Sequence, residues 1–154
     1  LKAANLLEAN TFSSSILLNK MDEFEIIALP KLAQISAIFG IVADDFDLDG
    51  KLDLVIAGNL YNSEVETPRN DAGQGLFLKG DGLGAFKPIR GYNSGLFIPG
   101  DVKKLKPIEL QTSTGKRKGL LASLNSGNVI LIMCQLPLNH QEQLNLAFSH
   151  EYSN

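Results

Sequence analysis

Cysteine, tryptophan and histidine are scarce in this 154-residue chain, which holds one cysteine, no tryptophan and two histidines. A lone cysteine excludes an internal disulfide. Cys134 sits in the apolar run VILIMC and reads as a small buried thiol rather than a reactive one. His140 and His150 lie ten positions apart in a polar C-terminal stretch. With no cysteine or acidic partner at metal-binding spacing, they exclude a zinc site of the usual kind and read as surface residues. No constellation of nucleophile and base stands out, so enzymatic activity within this chain is not expected.

Long apolar runs are missing as well. None approaches the roughly 20 residues that a transmembrane helix needs, so direct membrane insertion by a helix is not expected. Positive charge is in slight deficit, with 14 Lys and Arg against 17 Asp and Glu and a net charge of -3. That balance argues against nucleic-acid binding. The one basic run, Lys116-Arg117-Lys118, follows Thr114-Gly115 and reads as a solvated hairpin turn.

What is abundant is strand signal. SSSILLN (13–19), FEIIAL (24–29), ISAIFGIVAD (35–44), LDLVIAG (52–58), GLFLKG (75–80), KPIELQT (106–112), KGLLASL (118–124) and NVILIMC (128–134) are apolar or β-branched and bounded by turn residues. Asp-Gly, Gly-Asp-Gly, Asn-Ser-Gly and Thr-Gly between them suit tight turns with positive φ. GDGLGAF (80–86) lacks the lysine and following helix of a phosphate loop and reads as a hairpin turn, with Phe86 in the core. Only LKAANLLEAN at the start has a helical pattern. The expected class is all-β and mostly antiparallel.

A weak internal repeat sharpens this. Residues 15–59 can be laid over residues 75–125, aligning Phe24 with Phe86, Gly40 with Gly100 and Asn59 with Asn125. An offset of about sixty residues is compatible with four-stranded repeating blades. The expected organisation is therefore a short helical or irregular lead-in (1–12), a first blade (13–61), an insert (62–74), a second, degenerate blade (75–134) and a C-terminal segment (135–154) with room for a last strand. Within the insert, Glu66, Arg69 and Asp71 form a second-choice functional feature. The favoured reading there is an Arg–carboxylate pair that ties down a long loop.

The sharpest signal is VADDFDLDGKLDLVIAG (42–58), in which alternating aspartates precede an unbroken apolar run. Calcium takes six to eight oxygen ligands. Asp45, Asp47 and Asp49 could point inward from a curled loop, with Phe46 and Leu48 turned away and Gly50 allowing the sharp bend. The Lys51 carbonyl and Asp53 could complete the set, with Asp44 outside it. An EF-hand requires a glutamate at its twelfth position, which is Ile56 here, and helical rather than strand-like flanks. A bare turn would leave four like charges to repel one another. The second copy has no such loop, so one site is expected.

DFDLDGKLDLVIAGN and the preceding IFGIVADDF resemble the calcium loop and blade strands of FG-GAP/VCBS repeats, the blades of integrin α-like β-propellers. The wider text over residues 13–132 is similar to the C-terminal region of bacterial multi-repeat FG-GAP proteins. The resemblance implies antiparallel four-stranded propeller blades, about two of them present as part of a larger propeller. It implies Ca2+ held by Asp45, Asp47, Asp49, the Lys51 carbonyl and Asp53. It further implies an exported protein, periplasmic, outer-membrane-associated or extracellular, acting as a non-enzymatic binding or adhesion module. Its expected partners are a protein or glycan ligand and either the remaining blades of a parent chain or another copy. The competing class is an accessory part of a secreted hydrolase or lyase whose active site lies outside this chain. The start at Leu1, without a signal-peptide pattern, is not expected to be the natural one.

Overall fold

The computed structural model describes residues 7–113, 115–134 and 148–151, the last four as backbone. Among the described residues, ten strands form three antiparallel layers. The first layer is a hairpin of β1 (Ser15–Asn19) and β2 (Phe24–Ala28). Its turn is held by the Asn19 side chain, which accepts the Met21 N–H, and by the Lys20 N–H on the Glu23 carbonyl. A 3-10 turn over Lys31–Gln34 follows.

The central sheet is a meander of β3 (Gly40–Asp44), β4 (Asp53–Ala57), β5 (Leu76–Gly80) and β6 (Phe86–Ile89). The third is another meander, of β7 (Val102–Thr112), β8 (Gly115–Leu124), β9 (Val129–Cys134) and β10 (Phe148–Glu151). The class is thus mostly β with antiparallel sheets, as the succession of short strand signals indicated.

Two apolar clusters explain why LDLVIAG does not alternate. Val55 and Ala57 face Leu105, Leu120, Ala122, Ile130 and Ile132 of the third layer. Ile56 and Leu54 face the other way, toward Ile16, Leu29 and Ala33 of the hairpin side. In β5, Phe77 joins the first cluster and Leu78 the second, both essentially inaccessible. A strand buried on both faces needs apolar residues at every position. Each such side chain contributes about 1.5–3 kcal/mol of burial free energy. The central sheet is therefore the rigid element on which neighbouring loops are mounted.

The strands also differ from expectation in places. Residues 35–39 lie outside β3, tied to the end of β4 by the Ser36 hydroxyl on Asn59 Oδ1 at 2.6 Å and by the Phe39 N–H on the Ala57 carbonyl at 3.1 Å. Asn59 is itself buried at the end of β4 and donates to the carbonyls of Gly73 and Gly100. β6 contains Pro88 and lies at the sheet edge, where a missing N–H breaks no ladder bond. The basic run Lys116–Lys118 belongs to β8 and not to the turn. Residues 7–12 form no helix; residues 1–6 and His140 lie outside the described residues. Sheet membership is also out of phase with the repeat: the strands of residues 13–61 divide between the hairpin and the first half of the central sheet.

Candidate metal centre

The acidic loop joins β3 to β4 and curls through two left-handed residues, Leu48 at φ 60° and Gly50 at φ 83°. Aspartate side chains close the curl by accepting N–H groups of the loop itself. Asp45 accepts from Asp49 at 3.1 Å and from Gly50 at 2.9 Å, and Asp49 accepts from Lys51 at 3.0 Å. Phe46 points into the core and meets Phe77 edge-on, with ring centroids 6.1 Å apart. Leu48, by contrast, is exposed. The alternation therefore turns apolar residues out of the curl and brings carboxylates into it.

One carboxylate oxygen from each of Asp45, Asp47 and Asp49 lies within 4.8 Å of the others. This cluster is an all-oxygen, hard donor set of the type calcium takes. A cation already stands against it. Lys79, from β5, places its ammonium on Asp47 and 3.0 Å from Asp49 Oδ2. The hydrogen bond from Lys79, foremost among several causes, holds the Asp49 carboxyl below its ordinary range. Burial alone would lower the Lys79 pKa, but the hydrogen bonds and charges of Asp47 and Asp49 outweigh it and raise the pKa.

Asp53 occupies a different place. It is wholly buried under the loop, its oxygens accepting the Gly80 N–H at 2.9 Å and the Phe46 N–H at 3.2 Å. Burial pushes its carboxyl up, the two N–H groups oppose that, and the charges of Asp47 and Asp49 add to it. Asp53 thus ties the acidic loop to the end of β5. Asp44, at the end of β3, pairs with Lys118 of the third layer at 2.8 and 2.9 Å. The donor set fits a hard divalent cation at Asp45, Asp47 and Asp49. Asp53, which the spacing also offered as a ligand, lies outside this group of three, its oxygens accepting two N–H groups.

Sequence reasoning did not find Lys79 or Lys118. The available signal was a single lysine in the otherwise apolar GLFLKG and a lysine at the head of KGLLASL. Nothing in either stretch says which acid it meets.

In the insert, Arg69 pairs with Asp71 at 2.8 Å and stacks over Tyr61 at 4.4 Å. This is the loop-tying arrangement, while Glu66 stands exposed. A cavity of about 340 Å³ has walls of Leu32, Ile38, Ile56 and Leu76, with Arg90 as its one charged lining residue. It gathers no set of ionisable groups and does not compete with the loop as a chemical site. Cys134 is buried, and burial pushes its thiol up to about 11.

Comparison with protein-family models, curated proteins and solved structures gives no match.

Proposed function

We propose that this chain is a calcium-stabilised, non-enzymatic binding or adhesion module of an exported protein, built on FG-GAP/VCBS-type propeller blades. The observation that carries the reading is the convergence of Asp45, Asp47 and Asp49 within 4.8 Å at the mouth of β4, a strand buried on both faces. In this reading each four-stranded meander is one blade. Calcium would be held by those three side chains, with the Lys51 carbonyl and Asp53 as further ligands by resemblance. Its role is structural: it neutralises the loop and fixes the neighbouring surface, which engages a protein or glycan.

The open apolar faces support further association. Leu17 and Ile26 are cross-strand partners on the hairpin, 63% and 61% exposed, and Phe24 is 65% exposed. Further blades of a parent chain or another copy would cover them.

Thermal unfolding in calcium, in magnesium and in EDTA, with Asp49→Ala alongside, tests the reading. Calcium at 100 times its dissociation constant adds about 2.7 kcal/mol to a protein that binds it only when folded. The expected result is a higher midpoint for the parent chain in calcium and no such response in Asp49→Ala. An unchanged midpoint for the parent chain in calcium removes the metal from the reading.

A further inference from the structure

Lys79 contacts two of the three aspartates that would hold the metal, Asp47 and Asp49. Its side chain is 38% exposed, so the ammonium has a route to solvent. Across the β5–β6 ladder its direct partner is Lys87. Like charges facing each other across a ladder destabilise it, so Lys79 is drawn toward the aspartates and repelled from the opposite side. Since the ammonium and a divalent ion would neutralise the same carboxylates, they compete for one place.

We propose that Lys79 is a tethered counter-cation, which holds the acidic loop in its metal-free form and is displaced when a divalent cation binds. This rests on the calcium reading and adds to it the residue that sets calcium affinity. With Lys79 in place the loop stays charge-compensated at low calcium, and the ion must break two charge-assisted hydrogen bonds to enter. Selectivity follows from the same competition. A divalent ion replaces the single charge of the ammonium with twice that charge, and a monovalent one gains nothing.

The test compares the parent chain with Lys79→Met, which keeps length but loses charge and donors, and with Lys79→Arg, which keeps the charge. Titration calorimetry with calcium chloride gives Kd, and thermal unfolding in EDTA gives metal-free stability. Lys79→Met is expected to melt earlier than the parent in EDTA yet bind calcium roughly fivefold more tightly, the size set by a partly exposed ion pair of about 1 kcal/mol. Lys79→Arg is expected to restore both properties. If the parent binds calcium and Lys79→Met binds it no more tightly, displacement is wrong while the calcium reading stands. If neither chain binds calcium, both fall, and Lys79 is a permanent partner of the loop.

A readout on the parent chain alone covers the case in which Lys79→Met does not fold. Acylation of Lys79, followed by mass spectrometry with Lys87 as the internal reference, should rise several-fold on adding calcium. Equal Lys79 labelling with and without calcium overturns displacement.

Discussion

Replacing Asp53 with alanine removes the acceptor for two buried N–H groups, those of Phe46 and Gly80. A buried donor left without a partner costs about 1–3 kcal/mol, so the gross loss is about 2–6 kcal/mol. Against it stands the relief of a desolvated carboxylate pressed by the charges of Asp47 and Asp49. Water entering the vacated space satisfies part of the remainder. The expected net loss is about 2–4 kcal/mol. Asp53→Asn keeps one carbonyl oxygen for one of the donors and should lose about half as much. Urea unfolding in EDTA, followed by circular dichroism, reads this as a fall in midpoint at constant slope. A loss below about 1 kcal/mol for Asp53→Ala would refute the reasoning, because the two N–H groups would then have other partners. A calcium arm adds a separate result. If Asp53 also ligates the ion, the calcium-induced shift disappears in Asp53→Ala; if it is a strut alone, the shift shrinks there but survives.

Two further outcomes follow from burial. At Gly80 a Cβ would stand 1.9 Å from the Leu52 carbonyl oxygen, and backbone cannot yield as a side-chain tip does. Gly80→Ala should therefore cost about 2–3 kcal/mol, read by calorimetry as a fall in Tm of roughly 5–10 °C. Cys134 ionises at about 11 in the fold against 9.0 for the free group, so the unfolded chain loses its proton first. Its contribution is constant below pH 9 and declines as pH rises from 9 toward 11, by up to roughly 2–3 kcal/mol. Urea midpoints at pH 8 and pH 10.5 should therefore differ more for the parent than for Cys134→Ala.

Local chemistry was legible in the sequence, and long-range neighbours were not. Alternating aspartates, Gly50 and the apolar run after Asp53 marked the loop and the strand buried on both faces, because each is encoded in consecutive residues. β6 was missed because FKPI carries a proline and a lysine; its strand pairing comes from β5 beside it, not from its own propensity. The repeat aligned strands in the right order but could not say where one sheet ends, since any four successive strands satisfy the same pattern. Asp53 shows the limit most clearly. From spacing it is a fourth ligand. Its burial and its bond to the Gly80 N–H, which spans 27 positions of chain, depend on β5 lying next to β4.

Five aspartates at the mouth of a buried strand pose an electrostatic problem that the fold answers piecemeal. Asp44 meets Lys118 from the next layer, and Asp47 and Asp49 meet Lys79 from the same sheet. Asp45 is spent on loop N–H groups, while Asp53 is spent on two N–H groups from elsewhere. Each carboxylate therefore has a partner before any metal arrives. A metal adds only the difference between its own interaction and the one it replaces. For Asp47 and Asp49 that reference is an ammonium at hydrogen-bonding range, not bulk water. On the calcium reading proposed above, the expected affinity lies toward the weak end of calcium sites, about 10⁻⁴–10⁻³ M, and the loop is expected to keep its shape without the ion. A far tighter site would mean that Lys79 is not in the way.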